Sequence, residues 1–181
     1  MISLSSASLS NNTNLFTELE LLNLAILMCL DNNTSGVNNL FYKHGYKIIS
    51  IDRSVDTSSG TIKYDLCLNS LSKEITLGLE IKGNLASNID DEQMKRYSKI
   101  PIKEYLYQSG IHSVNHDIHQ IKTLLMINAD RIRETRKKLS SLGYEFSIFG
   151  LDSLNMLIKL DEIDYFDKNV YDELLLDPII S

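Results

Sequence analysis

Two neighbouring segments of alternating apolar and polar residues, Ile62 to Leu68 and Ile75 to Lys82, carry the side chains with the clearest chemical potential. Because successive side chains of a β-strand point to opposite faces, Asp65 and Glu80 each lie opposite the apolar residues of their own segment. In a β-hairpin with its apolar faces together, Asp65 then lies across from, or diagonal to, Glu80. Opposed carboxylates repel unless a cation lies between them, and Mg²⁺ or Mn²⁺ prefers such oxygen ligands. The pattern therefore predicts a divalent-metal site.

Lys82 projects from the same face as Glu80, where it could orient or deprotonate a water molecule or hold a phosphate. The alternative is a solvated hairpin face with an Asp–Lys or Glu–Lys ion pair, worth at most about 1 kcal/mol. We favour the metal site because the stretch LGLEIKG is apolar on its other face and an acid lies in the upstream strand. The residues expected on the shared apolar face are Ile62, Tyr64, Leu66 and Leu68 in the first segment and Leu77, Leu79 and Ile81 in the second.

A predicted helix follows the hairpin and carries Gln93 and Tyr97, which are four residues apart and so lie on one helix face. Together these elements resemble the PD-(D/E)xK nuclease superfamily, which includes many restriction enzymes, Holliday-junction resolvases and RecB-like nucleases. Asp65 in YDLCL matches the first metal ligand, Glu80-Ile81-Lys82 matches the E-x-K strand, and Gln93 with Tyr97 matches the Q-x-x-x-Y helix of the RecB-like branch. The resemblance spans roughly residues 15 to 150, and it departs from the family in having no proline before Asp65.

The resemblance implies a helix–strand–strand–strand–helix–strand core and metal-dependent hydrolysis of phosphodiester bonds. It implies that Asp65, Glu80 and the main-chain carbonyl of Ile81 hold Mg²⁺ or Mn²⁺, with Lys82 as the catalytic lysine. It also implies that Gln93 and Tyr97 contact substrate or support that lysine.

Family members often place another acid on the first helix, where the candidates are Glu20 and Glu18. Thr17 and Glu20 also fit a capping box, which would give Glu20 a structural role. Because this helix is apolar on most sides, a carboxylate within it needs a partner. We favour Glu20 over Glu18, although the spacing does not decide between them.

The charge of the chain is unevenly distributed, although its net value is −6. Residues 95–138 hold 10 basic and 4 acidic residues, whereas residues 139–181 hold 2 and 9. The middle segment can therefore approach a phosphate backbone, while the acidic end is better suited to a protein partner or a second copy of the chain. The candidates for contacting nucleic acid are Lys95, Arg96, Arg131 and Lys137.

Other chemistries have less support in the sequence. His112, His116 and His119 suggest zinc, but His112 and His116 would share a face only on a helix, and this stretch reads as a loop that enters a strand. There is no Gly-rich phosphate loop and no G-x-S-x-G element. Cys29 and Cys67 match neither a zinc motif nor a disulfide framework.

The order of elements predicts an α/β fold with a mixed central sheet flanked by helices, a restriction-endonuclease-like core. We divide the chain into a flexible lead-in at 1–13, a nuclease-like domain at 14–150, and an acidic, helical extension at 151–181 packed on the same domain. Neither a signal peptide nor a membrane span is apparent, so a cytoplasmic location is expected.

The predicted function is a metal-dependent deoxyribonuclease in antiviral defence, restriction, recombination or repair, with DNA favoured over RNA as the substrate. The alternative is a catalytically silent module with a nuclease fold, which binds nucleic acid or a protein partner.

Overall fold

The structure is a computed structural model of the 181-residue chain, and it describes residues 15–31, 37–83, 89–112, 114–161 and 179. The predicted lead-in at 1–13 and most of the extension beyond residue 161 lie outside the described residues. In the part of the chain that is described, no helix is long and apolar enough to cross a membrane.

Six strands form one mixed sheet in the order of the sequence. The strands are β1 (Lys47–Thr57), β2 (Gly60–Ser70), β3 (Ile75–Lys82), β4 (Gln120–Asn128), β5 (Ser147–Asp152) and β6 (Leu157–Asp161). Strand β2 is antiparallel to both of its neighbours, β1 and β3. Strands β3, β4 and β5 run parallel, and β6 returns antiparallel to β5. Because β3 and β4 are parallel, their carboxyl ends lie at the same edge of the sheet.

Helices cover both faces of this sheet. They are α1 (Glu18–Met28), α2 (Leu40–Lys43), α3 (Asp91–Ser98), α4 (Ile102–Gln108) and α5 (Ile132–Leu142). One hydrophobic core joins the sheet to α1 and α2, and the other joins it to α3, α4 and α5. The predicted α/β fold with a mixed sheet flanked by helices is therefore confirmed.

Local capping signals fix the helix ends nearest the candidate site. Thr17 and Glu20 form the predicted capping box at the start of α1, where the Glu20 carboxylate accepts from the Thr17 N–H at 2.7 Å. The Asp90 side chain accepts from the Glu92 N–H and begins α3. Gly143 ends α5 in the left-handed conformation.

The hairpin of β2 and β3 has the predicted register, since Leu66 pairs with Leu79 and Cys67 pairs with Gly78. The prediction that Ile62 and Tyr64 share a face with Leu66 and Leu68 is wrong. Ile62 and Tyr64 lie in the core under α3 and α4, whereas Leu66 and Leu68 lie in the core under α1.

The change of face occurs at one level of the β1–β2 ladder. Asp52 adopts a left-handed φ of 51°, and neither Asp52 nor Asp65 belongs to the regular pairing, which passes from Ile51↔Leu66 to Arg53↔Tyr64. Such an irregularity interrupts the alternation of side chains and re-aims those that follow. Asp65 therefore sits at the break in its strand, just where β3 stops pairing with β2.

A further difference from the sequence prediction concerns the second half of the chain, where residues 102–108 form α4, with Tyr105 buried in the core and Tyr107 exposed. The predicted helical extension at 151–181 begins instead with the last two residues of β5 and continues, after a turn, into the strand β6, in which Ile158 is fully buried. Met156 takes a left-handed φ of 53° in the preceding turn, which reverses the chain so that β6 pairs with β5.

Candidate active site

The carboxyl end of β3 carries a buried ion pair. The side chain of Glu80 is 2% exposed, and its Oε1 lies 2.5 Å from the Lys82 Nζ. Both residues project from one face of the strand, as their spacing of two requires. Breaking a buried pair leaves an uncompensated charge, so each partner fixes the position of the other.

Asp65 faces this pair from β2 and binds the backbone of β3. Its Oδ2 accepts from the N–H of Ile81 at 2.6 Å, which replaces the regular ladder where the two strands diverge. In an extended strand the N–H and C=O of one residue point to the same side. The Ile81 carbonyl therefore lies on the side of β3 that faces Asp65.

The ionised form of Asp65 is disfavoured in this cluster. Burial raises the pKa of Asp65 from its ordinary 3.8 to about 6, and the charge of Glu80 adds to the increase. The Ile81 N–H and the Lys82 charge act in the opposite direction without cancelling it. The site thus holds more negative charge than Lys82 compensates, a condition that favours a bound cation.

Lys82 is held in its protonated form by the same carboxylates. Burial lowers the pKa of Lys82, but the hydrogen bond and charge of Glu80, with Asp65 and Glu18 contributing, raise it above its ordinary value. Glu80 is thus the main partner that keeps the pKa of Lys82 high. Without that interaction, burial would lower the pKa of the ammonium group.

Tyr97 on α3 supports the buried Glu80. The Tyr97 hydroxyl lies 2.6 Å from Glu80 Oε2 and is also within hydrogen-bond distance of the Lys63 carbonyl, while Gln93 Nε2 donates to the hydroxyl at 2.8 Å. Burial raises the pKa of Tyr97, and the neighbouring Glu80 carboxylate raises it further. Tyr97 is 5% exposed and contacts Glu80 from within the core, whereas the half-buried Gln93 contacts only the Tyr97 hydroxyl of this pair.

An aromatic stack positions Tyr97. Its ring stacks on Tyr64 with the centroids 4.5 Å apart, and the Tyr64 hydroxyl lies 2.6 Å from the Thr123 hydroxyl. The Tyr64 ring lies over Gly78, where an added Cβ would come within 2.2 Å of it. Gly78 therefore leaves the space that this stack needs.

The first turn of α1 brings Glu18, rather than Glu20, to the cluster. Glu18 and Asp65 line an open cavity of about 320 Å³ together with Leu19, Leu22 and Ile81. The charge of Glu18 contributes to the raised pKa values of both Asp65 and Lys82. Glu20 is instead engaged by Thr17, whose backbone and hydroxyl hydrogen bonds lower the pKa of this carboxyl.

Asn128 holds the start of α1 against the end of β3. Its side chain is completely buried and accepts from the Phe16 N–H at 2.9 Å while donating to the Phe16 carbonyl at 2.8 Å and the Gly83 carbonyl at 3.3 Å. A Cβ on Gly83 would lie 2.9 Å from the Glu18 backbone nitrogen. The close approach that carries Glu18 toward Asp65 therefore requires both residues.

The predicted nucleic-acid contacts belong to different elements. Lys95 and Arg96 belong to α3, where Lys95 is 3.9 Å from Glu92. Arg131 ends the short 3-10 helix Ala129–Arg131 after β4 and pairs with acidic neighbours, and Lys137 is exposed on α5. That these four side chains contact nucleic acid stays a prediction.

The donor set fits a divalent cation that prefers oxygen ligands. Within the described ranges, no three His, Cys, Asp or Glu side chains are grouped so that they could hold a metal ion alone. An ion beside Asp65 and Glu80 would need the Ile81 carbonyl or water as further ligands, and Mg²⁺ usually keeps several waters. The excess negative charge at Asp65 supports the fit.

The histidines do not converge on a common point. His119 is 3% exposed and its Nε2 lies 2.8 Å from the Thr76 hydroxyl, whereas the ring of His112 packs against Tyr107. His116 Nε2 lies 3.3 Å from the Ile111 carbonyl. The zinc alternative therefore gains no support from these contacts.

Sequence reasoning did not identify Tyr64, Asn128 or Gly83 as parts of the site. Gly78 offered a usable signal, because a glycine inside a strand often marks the close approach of another group. No local pattern marks Asn128, whose partner Phe16 is 112 residues away.

Comparison of the chain with protein-family models, curated proteins and solved structures found no match in any of the three. The function therefore has to be inferred from the geometry of the site itself.

Proposed function

We propose that this protein is a divalent-metal-dependent nuclease that hydrolyses phosphodiester bonds, with DNA as the favoured substrate. The observation that carries the proposal is the convergence of Asp65, Glu80 and Lys82 where β2 and β3 diverge. The raised pKa of Asp65 supports it, because the cluster carries negative charge that the chain itself does not neutralise.

Asp65, Glu80 and the Ile81 carbonyl would hold the metal, with Glu18 as the further acid. A bound Mg²⁺ or Mn²⁺ supplies Lewis-acid polarisation of the phosphate and a more acidic water. Among the acids of α1, the structure favours Glu18, since Glu20 is committed to the cap.

Lys82 acts on the water or on the phosphate. While it is paired with Glu80 its ammonium group is a cation that can stabilise charge developing on the phosphate oxygens. When Glu80 is engaged elsewhere, burial lowers the pKa of Lys82, so a larger fraction of the amine is neutral and able to accept a proton.

Gln93 and Tyr97 position the carboxylate. Tyr97 holds Glu80 Oε2 while Gln93 holds the Tyr97 hydroxyl, so the orientation of Glu80 is set by α3. In this proposal they are positioning residues, because neither binds the phosphate.

The setting proposed for this activity is antiviral defence, restriction, recombination or repair in the cytoplasm. The acidic segment 151–181 would contact a protein partner or a second copy of the chain; its described part, as far as Asp161, belongs to the sheet.

One observation favours the alternative of a silent binding module. Both oxygens of Glu80 already have partners within the chain, Lys82 for Oε1 and Tyr97 for Oε2. A protein without catalytic activity would keep this closed arrangement as a structural ion pair.

A cleavage assay separates the two functions. Single-stranded and duplex DNA are incubated with the protein in Mg²⁺, Mn²⁺ or EDTA, and wild type is compared with Glu80→Gln, Lys82→Met and the control Glu74→Gln. Glu74 lies in the turn at the other end of the same hairpin. The nuclease proposal expects metal-dependent cutting by wild type and the control only. Absence of cutting on DNA and on RNA would favour the silent module.

A further inference from the structure

A recess between the β1–β2 turn and α3 lies apart from the carboxylate cluster. It encloses about 270 Å³ and is lined by Ser59, Glu92, Lys95, Arg96 and Lys99. Gly60, at the rim of the recess, is five residues before Asp65 on β2. At about 3.3 Å per residue, Gly60 is about 17 Å from Asp65 along β2.

The turn beside the recess is held in one conformation. The Ser58 N–H and hydroxyl donate to the two oxygens of Glu104 at 2.9 and 2.6 Å, and the Thr57 hydroxyl donates to the Gly60 carbonyl at 2.7 Å. Gly60 has a φ of 106°, and a Cβ added there would lie 3.2 Å from Arg96 Cδ. The stem of Arg96 is therefore packed against the turn before any ligand binds.

The charge of the recess is positive in a protein whose net charge is −6. Its cations are Lys95, Arg96 and Lys99, against one acid, Glu92, which is 3.9 Å from Lys95. Arg96 and Lys99 form no ion pair with any residue that the structure describes. A guanidinium group and an ammonium group without carboxylate partners bind phosphate well, the first through paired hydrogen bonds and the second as a point charge.

We propose that this recess binds a backbone phosphate of the substrate strand at a distance from the scissile bond. The inference rests on the proposed function, since the distance is measured from the carboxylate cluster. A rise of about 3.4 Å per nucleotide makes 17 Å equivalent to about five nucleotides of a duplex strand. The recess thus favours substrates that extend at least that far from the cleavage point.

The test is DNA binding measured without catalysis. Fluorescence anisotropy of a labelled DNA longer than this span is recorded in EDTA at several salt concentrations. The variants are wild type, the double variant Arg96→Gln/Lys99→Gln, and the control Lys47→Gln. Lys47 lies on β1 at the opposite end from the turn and carries the same charge. Glutamine at position 96 keeps part of the stem that packs on Gly60.

The proposal expects the slope of log K against log salt to fall by about 0.7–0.9 for each phosphate contact that is lost, in the double variant only. The proposal is wrong if the double variant keeps the wild-type slope, if the control changes equally, or if wild type does not bind DNA. Cleavage is scored separately. If wild type binds DNA through the recess but never cuts it, the nuclease proposal is wrong, whereas the assignment of the recess as a phosphate-binding site is kept.

Discussion

Replacing Asp65 with asparagine should stabilise the metal-free protein at neutral pH. The pKa of this carboxyl is raised from 3.8 to about 6 by burial and by Glu80, so its ionised form is less stable in the folded chain than in the unfolded one. The Asp65→Asn change removes the negative charge, while the amide oxygen that it introduces can still accept from the Ile81 N–H. The variant therefore loses the repulsion and keeps the hydrogen bond.

The magnitude follows from the shift of about two pKa units. At 1.36 kcal/mol per unit this gives a ceiling of about 3 kcal/mol. Because Asp65 is only partly buried, solvent screening reduces the expected gain to about 1–2 kcal/mol. For a carboxyl whose folded pKa is raised, the penalty is absent below about pH 3.8, grows between pH 3.8 and about 6, and is constant above that.

Urea unfolding at several pH values measures this difference in the free energy of unfolding. Asp65→Asn should be more stable than wild type above pH 6 and equal to it near pH 4. Asp152→Asn serves as a control of opposite sign. Burial raises the pKa of Asp152, but the hydrogen bonds from Lys159 and Asn155 outweigh burial and lower it, so this variant should lose stability at neutral pH.

Adding Mg²⁺ should make wild type more stable than Asp65→Asn. An ion that binds only the folded wild type stabilises it by about 2.7 kcal/mol at 100 times its Kd, and Asp65→Asn should gain much less. A variant that is less stable than wild type at pH 7, or a difference that does not change with pH, would refute the electrostatic reasoning.

Three other substitutions test how the site is positioned. Tyr97→Phe removes the hydroxyl beside Glu80 Oε2, so thermal unfolding should show a stability lower by about 1–3 kcal/mol. The cleavage rate should decrease while DNA binding in EDTA stays the same. An unchanged cleavage rate would mean that Tyr97 does not position Glu80. Gly78→Ala places a Cβ against the Tyr64 ring and should destabilise the protein by about 1–3 kcal/mol. Unchanged stability would mean that the stacked rings of Tyr64 and Tyr97 can move to make room. Asn128→Ala leaves the backbone groups of Phe16 and Gly83 without their buried partner, so we expect the free energy of unfolding to fall by about 2–3 kcal/mol and Mn²⁺ to bind more weakly. If Mn²⁺ binds equally well, Asn128 does not position Glu18.

The hairpin and the start of α3 were predictable because their signals are local. The alternation around Asp65 and Glu80 specifies two antiparallel strands, and Asp90 supplies a side-chain cap for the helix that carries Gln93. Both signals act over a few residues, so they can be read without knowledge of the rest of the fold.

The features that were missed depend on contacts between distant parts of the chain. The face that Tyr64 occupies changes at the level of Asp52 and Asp65, where the regular pairing of β1 with β2 is interrupted. The choice of Glu18 over Glu20 follows from the approach of α1 to Gly83, which Asn128 fixes from β4. Periodicity within one segment carries no information about either.

The short elements were difficult for a different reason. Residues 102–108 form a helix of only seven residues after Pro101, and the buried Tyr105 anchors it to the core. Isolated helices of this length are marginal in water, so tertiary packing decides their formation. The same holds for the five-residue strand β6, which exists through its pairing with β5.

The most direct test of the central claim is the rate of duplex DNA cleavage in Mn²⁺ by wild type and by Glu80→Gln, prepared in parallel and shown to be equally folded. Loss of a preorganised charge at a catalytic site commonly lowers the rate by about 100-fold or more. We expect wild type to cut, EDTA to abolish the activity, and Glu80→Gln to show a decrease of that order. Equal rates for the two proteins, or no cleavage by wild type, would contradict the assignment of this cluster as a nuclease site.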